Sequence, residues 1–498
     1  MDQEDNELIK SRIGKLNNLL AMDINPYPSN YKRTHTSKEA IDYFEKNEDS
    51  NSEIDYVTVA GRIMSIRDMG KAIFIDLLDG AGRIQVLCRA NKLEEQFKNI
   101  PNLDIGDWLG VKGNLFRTRT SQITILASNY DILCKSIRPL PEKWHGLTDI
   151  ELRFRQRYLD LITNEQSKNT ALNRSKIIKA IRNFMDNKGF IEVETPVLVP
   201  VAAGASAHPF ITHHNQLNQQ LYLRVATELY LKRLIVGGLE KVYEIGRVFR
   251  NEGVDFYHNP EFTMLESYQA FADYKDMMKM LEEMISSISE EIFGTKILEF
   301  NGTKIDFTPP WPRLDLRETI KKYSGIDYIE NLELDSLSKQ MKNSGIDVDK
   351  QVSWGGMMDK LISSKVEPNL IQPCFLVDYP ISMSPLAKKK ISDPRVVERF
   401  EGFVAGMEIC NSFSELNDPI DQRERFEIQE NLRDKFEKEE MDRLDEDFLV
   451  AIEHGMPPTG GIGIGLDRIT MLLCNQKSIR EVILFPHLRN LKASDDQN

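Results

Sequence analysis

The sequence predicts an α+β protein in which a small five-stranded barrel precedes a larger domain of helices and antiparallel strands. Three patterns in the 498 residues lead to this prediction. Short runs of alternating apolar and polar residues fill positions 56 to about 130, segments with helical spacing follow, and a hairpin rich in charged residues spans 242–268. A chain of this length exceeds one compact core, so we expect two or three domains.

The composition is that of an ordinary globular protein, with 41% hydrophobic and 28% charged residues. The 64 basic and 77 acidic residues give a net charge of −13, so nucleic acid would have to bind through a local surface. Five irregularly spaced cysteines without a CxxC pair favour reduced thiols. The sequence has no long apolar run and no signal-peptide pattern in its first residues, so we expect a cytoplasmic protein that does not enter membranes.

Residues 1–55 are expected to form a lead-in that contains an amphipathic helix over 5–21. The barrel is assigned to 56–140. Its five predicted strands enclose one helical patch, NKLEEQFKNI, between the third and the fourth, which is the arrangement of an OB fold. The alternation predicts an apolar interior made of Ile73, Ile75, Leu77, Ile84, Val86, Ile123 and Ile125.

The same alternation turns Phe74, Gln85 and Gln122 outward, near Arg62. OB folds use such aromatic and polar side chains to stack on unpaired bases and to hydrogen-bond with them. Packing of Phe74 against a neighbouring domain is the other interpretation, and the alternation alone does not choose between the two.

After a Pro-rich linker over 141–168, a second domain is expected over 169–498. It begins with the helical pattern TALNRSKIIKAIRNFMDNKG and continues with FIEVETPVLVP, a strand that ends at Pro196. Further along, a helix is expected over 275–298 and a mixed insert over 315–395.

The hairpin over 242–268 carries the strongest chemical signal. Period-two alternation gives each of its strands one shared face, with Val248, Arg250 and Glu252 on the first and Phe262, Met264, Glu266 and Tyr268 on the second. An arginine suits a phosphate, a phenyl ring suits a base, and carboxylates suit a cation. A solvated hairpin with ordinary ion pairs explains this stretch alone equally well.

Acidic residues recur at intervals of seven in the segment FEGFVAGMEICNSFSELND, as Glu401, Glu408 and Glu415. One or two of these carboxylates are enough to hold Mg²⁺ while positions remain for phosphate oxygens. Exposed acids on a surface rich in turns are the alternative interpretation.

Alternate glycines in GGIGIGLDR precede Arg468. The run is neither the dinucleotide fingerprint nor a P-loop, because the GxGxxG and GK[ST] patterns are missing. Alternate glycines in a strand permit a ligand to approach the backbone, and they also permit another element to pack tightly.

Taken in order, these segments resemble the class II aminoacyl-tRNA synthetases, and within them the lysine-specific members. FIEVETPVL with Pro196 resembles motif 1, FRNEG followed by HNPEFTMLE resembles motif 2, and GIGIGLDR resembles motif 3. All three in this order behind an OB barrel are far more specific than any one of them. YLRVATELYLK, MEICNSFSELND and SPLA at 384–387 resemble the lysine-specific members more than the aspartate- and asparagine-specific ones.

The resemblance implies a class II catalytic domain built on an antiparallel sheet flanked by helices. It also implies ligation of L-lysine to tRNA(Lys) through a lysyl-adenylate, with ATP as co-substrate and Mg²⁺ as cofactor. A homodimer formed through the region near Pro196 is a further implication.

The resemblance also implies a role for each of several residues. The catalytic residues are Arg250, Arg468 and Glu252, which contact ATP together with His258, Phe262 and Glu401. The ligands of Mg²⁺ are Glu401 and Glu408. The side of the pocket that takes lysine comprises Gly204, Glu228, Glu266, Tyr268, Asn411 and Glu415. The anticodon contacts are Arg62, Phe74, Gln85 and Gln122.

Three positions depart from the lysine-specific pattern, since Ala203 stands in place of a glycine, Gln122 in place of a glutamate, and Phe413 where some members carry a tyrosine. The aspartate- and asparagine-specific relatives need basic groups where this sequence has Glu266 and Glu415. A nucleic-acid-binding regulator with a degenerate catalytic domain is the alternative from another class. It is disfavoured because Arg250, Arg468 and the glutamates are all present.

Overall fold

The computed structural model describes residues 3–48, 56–141, 147, 149–205, 207–348, 353–436 and 444–489. The chain forms two compact units, Met1–Gly146 and Leu147–Asn498. The finer division into lead-in, linker and insert stays a prediction. Its boundary at residue 55 and part of its linker fall outside the described residues.

In the described part of the first unit, five strands close into a barrel in the order β1-β2-β3-β5-β4. All neighbouring pairs are antiparallel except β3 and β5, which are parallel. The elements are α1 (Gln3–Ala21), α2 (Ser37–Asn47), β1 (Val57–Asp68), β2 (Ala72–Leu78), β3 (Arg83–Arg89), α3 (Ala90–Leu93), β4 (Trp108–Arg117) and β5 (Ile123–Cys134).

The alternation in the sequence predicts the barrel interior correctly. All seven side chains expected inside are buried: Ile73, Ile75, Leu77, Ile84, Val86, Ile123 and Ile125. The predicted first helix is confirmed as α1. Helix α2 is absent from the sequence-based expectations, although Thr36 and Glu39 form a capping box at its start.

The second unit mixes helices with strands. Its helices are α4 (Ile150–Arg155), α5 (Arg157–Thr163), α6 (Glu165–Asn187), α7 (Glu228–Val236), α8 (Tyr274–Phe293), α9 (Leu316–Ser324), α10 (Leu334–Asn343), α11 (Trp354–Leu361), α12 (Pro419–Phe436), α13 (Glu446–Glu453), α14 (Leu466–Leu473) and α15 (Ile479–Val482). Its strands are β6 (Ile191–Glu192), β7 (Leu198–Val199), β8 (Ile211–His214), β9 (Gln219–Leu223), β10 (Lys241–Phe249), β11 (Glu261–Ala270), β12 (Ile297–Phe300), β13 (Thr303–Asp306), β14 (Arg313–Asp315), β15 (Cys374–Val377), β16 (Arg399–Val404), β17 (Met407–Ser414) and β18 (Thr459–Gly465).

A large sheet organises this unit. Within the described residues it contains eight strands in the order β14-β15-β16-β17-β18-β11-β10-β6. The six inner strands pair antiparallel, and each edge strand pairs parallel with its neighbour. The motif-bearing segments β10, β11, β16, β17 and β18 are therefore neighbours in one sheet.

The two faces of the sheet have different neighbours. Leu265, Ile462 and Ile464 belong to a core that includes buried residues of α6, α8 and α14. Tyr268, on the opposite side of β11, belongs to a second core with buried residues of α7 and α13. Because side chains alternate along β11, the residues that carry the chemical signal lie on the face towards α7.

Three predicted boundaries are wrong. The strand expected to end at Pro196 ends at Glu192. The predicted strand over Val248, Arg250 and Glu252 ends at Phe249, because Pro260 has no N–H with which to continue the ladder opposite Arg250. The helix expected over 275–298 ends at Phe293, since Gly294 adopts φ +73° and terminates it. Within the described residues, no helix combines the length and the apolarity needed to cross a bilayer.

Candidate active site

A row of residues crosses four adjacent strands of the large sheet. Glu266 on β11 lies opposite Gly463 on β18, and Gly463 lies opposite Asn411 on β17. Asn411 in turn lies opposite Glu401 on β16. Directly opposed residues of antiparallel strands have Cβ atoms roughly 4.5–5.5 Å apart. Predicted site residues from distant segments are thus brought into one line on one face.

Arg250 lies immediately after β10, where it meets the Phe262 side chain of β11. Its guanidinium carbon is 5.2 Å from the centroid of the Phe262 ring. Nε of Arg250 is buried and has no hydrogen-bond partner among the described residues. A buried N–H without a partner is available to a ligand, and a phosphate matches the geometry of a guanidinium.

Arg468, in the first turn of α14, connects the motif-bearing segments. Its Nη1 donates to the backbone oxygen of Glu408 at 2.7 Å and lies 3.2 Å from Oε2 of the same residue. Its Nη2 donates to Nε2 of His258 at 3.2 Å. An arginine is always a donor, so the other ring nitrogen, Nδ1, carries the proton and faces Asp255 at 2.8 Å. The structure brings Arg468, Glu408 and His258 together, and they occupy the same end of the site.

Glu252 lies in the loop between β10 and β11 and is exposed. Its backbone N–H donates to the backbone oxygen of Arg250 at 2.9 Å. This contact holds the loop next to Arg250, while the Glu252 carboxylate faces solvent.

Glu401 is held by two neighbours that the sequence did not single out. Nη2 of Arg399 donates to Oε1 at 2.6 Å, and the Tyr379 hydroxyl donates to Oε2 at 2.7 Å. Burial raises the pKa of Glu401 to about 7; Arg399 opposes this shift and the Glu408 carboxylate adds to it. A carboxylate whose pKa is raised by a neighbouring acid is stabilised in its charged form by a nearby cation. Among the described residues no group of three or more potential ligands converges, yet Mg²⁺ that also binds phosphates needs only one or two carboxylates.

Three buried glutamates converge beside α7 and form a cluster that we call the acid pocket. Glu228 lies at the start of that helix, Glu266 on β11 and Glu415 just after β17, and they are 7%, 4% and 1% exposed. The Thr227 N–H donates to Oε1 of Glu266 at 3.0 Å, and the Tyr268 hydroxyl donates to Oε2 at 3.4 Å. Burial raises the pKa of Glu266 to about 7, with the Glu228 charge adding to the shift. Burial also raises the pKa of Glu415 well above its usual value.

Lys232 is the residue of this pocket that sequence reasoning missed. It is fully buried and forms ion pairs with Glu228, one helical turn earlier, and with Oε2 of Glu415. Oε1 of Glu415 has no hydrogen-bond donor among the described residues. The available signal was a lysine four residues after Glu228 on the apolar face of a helix, a position that solvated lysines avoid.

Gly204 adopts φ +93°, which favours glycine, and a Cβ at this position would lie 3.5 Å from the Cβ of Glu228. The loop that contains Gly204 therefore passes close to the acid pocket. Asn411 is oriented by Nε of Arg399, which donates to its Oδ1 at 3.1 Å.

The four predicted anticodon residues lie on the barrel but not at one point. Phe74 and Gln85 are half-buried on the outer face, and Gln122 is exposed. Arg62 is on β1, opposite Leu78, which lies at the end of β2 away from Phe74. Its guanidinium donates to the backbone oxygen of Gly106 at 2.9 Å. Its guanidinium carbon also lies 4.9 Å from the centroid of the Trp108 ring. Phe74, Gln85 and Gln122 remain accessible, whereas Arg62 is held within the barrel wall.

Comparison with known proteins agrees with this arrangement. Residues 149–489 match the family of class II tRNA synthetases (D, K and N), and residues 57–133 match the OB-fold nucleic acid binding domain. The chain therefore belongs to the class II tRNA synthetase family. The synthetase match includes the three glutamates of the acid pocket as well as Arg250 and Arg468.

Curated relatives narrow the comparison to one branch. A protein of Dehalococcoides mccartyi named lysine–tRNA ligase is 53% identical over 490 residues, 98% of each chain. Relatives with the same name from Pelotomaculum thermopropionicum and Clostridium tetani are 52% and 49% identical, covering 98% of this chain and 96% and 97% of theirs.

Proposed function

We propose that this protein ligates L-lysine to tRNA(Lys) in two steps that share one site. The lysine carboxylate attacks the α-phosphorus of ATP, and the bond to pyrophosphate breaks. The terminal ribose hydroxyl of the tRNA then attacks the carbonyl of the lysyl-adenylate, and AMP leaves. The observation that carries the proposal is the convergence of Glu228, Glu266 and Glu415, which are buried on the face of the sheet that also carries Arg250.

The ATP side of the reaction rests on Arg250, Phe262 and Arg468. Arg250 has a buried donor available for the α-phosphate, and the Phe262 ring offers a surface for adenine. Arg468 would lie over the other side of the base and bring a positive charge to the leaving phosphates. Glu252 and His258 border this end and would orient the nucleotide. Positioning and charge stabilisation then provide most of the catalysis.

Glu401 and Glu408 are the residues that would hold Mg²⁺. Their carboxylates belong to opposed strands, β16 and β17, and the Glu408 charge adds to the rise in the pKa of Glu401. When bound, the ion would offset the negative charge of the ATP phosphates. Arg399 and Tyr379 fix Glu401 through hydrogen bonds to both of its oxygens.

Lysine selection follows from the burial of the three acids. Glu266 and Glu415, together with Tyr268, would surround the ε-ammonium, while Glu228, Asn411 and Gly204 would border the rest of the amino acid. A neutral side chain would leave buried carboxylates unpaired, which costs far more than the loss of a methylene contact. Aspartate would add a further negative charge to this pocket.

The OB domain would bind the anticodon through Phe74, Gln85 and Gln122, while Arg62 supports the barrel wall at the other end of β2. Phe74 lies opposite Leu87 on β3 and Arg67 on β1, so its ring has strand neighbours on both sides. Base stacking on an aromatic ring accepts any base and contributes about 1–3 kcal/mol per base.

A homodimer is supported by the region around Pro196. The edge strand β6 exposes Ile191, which is 50% exposed, and the chain beyond Pro196 exposes Val197 and Leu198 at 41% and 47%. An apolar edge of this kind is usually covered in solution. A second copy of the chain would cover it symmetrically.

Transfer to tRNA tests the complete proposal. Purified protein, ATP, Mg²⁺, tRNA(Lys) and labelled lysine should give acid-precipitable label that is released by mild base, as expected for an ester. A tRNA with an altered anticodon is the matched control and should accept far less lysine. Label that stays soluble with tRNA(Lys) would contradict the proposal.

A further inference from the structure

The lysine pocket contains a buried cation from the protein itself, Lys232, which is inaccessible to solvent. Lys232 lies on α7, where its ammonium pairs with Glu228 of the same helix and with Glu415 beyond β17. The rings of Phe413 and Phe448 complete its surroundings, with centroids 5.4 and 5.7 Å from Nζ. Its side chain is fully buried, so Lys232 is not a solvated surface lysine.

The charges that face this pocket come from several elements. Besides Glu228 and Glu415, strand β11 contributes Glu266 and the Tyr268 hydroxyl. Helix α13 contributes the Phe448 ring, while Asp445, the N-cap residue before it, is paired with Arg233 at 2.8 Å. The Arg250 guanidinium also acts on Glu266 and opposes the rise of its pKa. With every group ionised, the three carboxylates and the Lys232 ammonium leave a charge of −2, and free lysine brings two ammonium groups and one carboxylate.

Building on the proposed function, we propose that Lys232 is a positioning residue that sets the charge of the lysine pocket. It pairs with Glu228 and Glu415, holds their carboxylates apart from one another, and offsets one of the three negative charges that face the ammonium groups of the substrate. Lys232 does not touch the reacting atoms. It acts through the two glutamates that receive the substrate.

The behaviour of the acids follows from this arrangement. Burial alone would lower the pKa of Lys232, but Glu228 and Glu415 outweigh it and keep the ammonium charged. Without Lys232, three buried carboxylates would face one another, and at least one would take up an additional proton. Lysine binding would then have to displace that proton, so lysine would bind more weakly at neutral pH. The affinity for lysine would recover as the pH rises and the proton is lost.

The test compares wild type with Lys232→Met, which keeps the length of the side chain and removes its charge. Lysine KM and ATP KM are measured by pyrophosphate exchange from about pH 6 to about pH 8.5, and the protons released on lysine binding are counted by calorimetry in two buffers. For Lys232→Met we expect a lysine KM about tenfold higher at neutral pH, a pH midpoint about one unit higher, and more protons released, because one pKa unit changes proton occupancy tenfold. ATP KM should stay within about twofold, since Glu228 and Glu415, with which Lys232 pairs, both belong to the lysine side.

Two further variants separate the role of the charge from that of the fold. Arg233→Met, the neighbouring change on α7, removes a cation that pairs outside the pocket and should leave the pH profile unchanged. Lys232→Arg keeps the charge and should keep the proton count of wild type. It carries the test if Lys232→Met does not fold, because a folded Lys232→Arg with a shifted midpoint would contradict the role of the charge.

A folded Lys232→Met with the pH profile and the proton release of wild type would overturn the inference, as would an equal shift in Arg233→Met. These results differ from a failure of the proposed function. In that case wild type itself would give no lysine-dependent exchange.

Discussion

Glu415 occupies the space that a side chain at position 461 would need. A Cβ on Gly461 would overlap Oε1 of Glu415 and would lie 2.5 Å from Cε1 of Tyr268. Gly461 lies opposite Tyr268 across the β11–β18 pairing. The first of the alternate glycines therefore makes room for the protein's own acid and phenol.

Gly461→Ala should weaken the use of lysine without affecting the ATP side. The added methyl group would displace the Glu415 carboxylate or the Tyr268 ring, and overpacking of a buried site costs about 1–3 kcal/mol. We expect lysine KM to rise on the order of tenfold or more, measured by pyrophosphate exchange. Gly465→Ala, in the same strand, is the control for lysine KM. A Cβ at Gly465 would make ordinary van der Waals contacts, since the nearest heavy atom to it lies at 3.8 Å. A lysine KM equal to that of wild type in Gly461→Ala would contradict the pocket geometry.

Glu415→Gln should lower kcat/KM for lysine. The corresponding loss of transition-state stabilisation should be about 2–5 kcal/mol, the scale for losing one partner of a buried charge pair. The loss arises because Lys232 and the substrate ammonium would both face a neutral amide. Glu446→Gln is the matched control, since that carboxylate is exposed and pairs with Arg423 on the surface. If lysine KM and kcat are unchanged in Glu415→Gln, the assignment of Glu415 is wrong.

The stability of the protein without ligands should fall as the pH rises towards neutrality. The pKa values of Glu266, Glu367 and Glu401 are raised by burial to about 7 from an ordinary value of 4.5. Between these two values the native protein binds more protons than the unfolded chain, so the free energy of unfolding decreases with pH and levels off above about pH 7. Urea unfolding at several pH values from about 5.5 to 8 measures the slope. Glu367→Gln should make the slope shallower, and a slope of the opposite sign would contradict these shifts.

Glu401→Gln should raise the Mg²⁺ concentration that gives half-maximal pyrophosphate exchange. The change removes a charge from the acid pair while the hydrogen-bonding neighbours Arg399 and Tyr379 stay in place. Loss of a ligand charge should weaken the metal tenfold or more, in line with the roughly 10–100-fold effects of changes around metal sites. Glu427→Gln, an exposed change on α12, is the control. An unchanged Mg²⁺ requirement would exclude Glu401 as a ligand.

Phe74→Ala should reduce tRNA charging while leaving pyrophosphate exchange intact. Loss of one stacked base costs about 1–3 kcal/mol, so kcat/KM for tRNA should fall roughly 10- to 100-fold. Tyr56→Ala offers a matched aromatic control, because Tyr56 is exposed just before β1 begins, at the opposite end of that strand from the neighbours of Phe74. Equal losses in both variants, or a loss of exchange in Phe74→Ala, would contradict an anticodon role.

Periodic patterns were sufficient to predict much of the fold. The barrel interior and the hairpin β10–β11 follow from alternation with a period of two, which depends only on which side chains need burial. The end of β10 was missed because Pro260 lies eleven residues after Phe249 and acts across the hairpin rather than along the chain. Such effects depend on the pairing register, which a local window does not contain.

The residues of the site were predicted only in part, for a similar reason. Arginines, glutamates and glycines within recognisable segments were found, and the sheet brings Glu266, Asn411 and Glu401 into register. Lys232 and Arg399 were missed because their roles come from contacts across the fold. A lysine in a helix usually indicates a solvated face, and only its complete burial between two glutamates shows otherwise.

The most direct measurement is amino-acid-dependent exchange of labelled pyrophosphate into ATP, with each of the twenty amino acids in turn, in Mg²⁺ and without tRNA. The acid pocket predicts exchange with lysine alone, because only a side chain with an ammonium group satisfies the buried glutamates. Exchange with aspartate or asparagine would contradict the central claim and move the protein to a sibling specificity. No exchange with any amino acid would favour a role limited to binding nucleic acid.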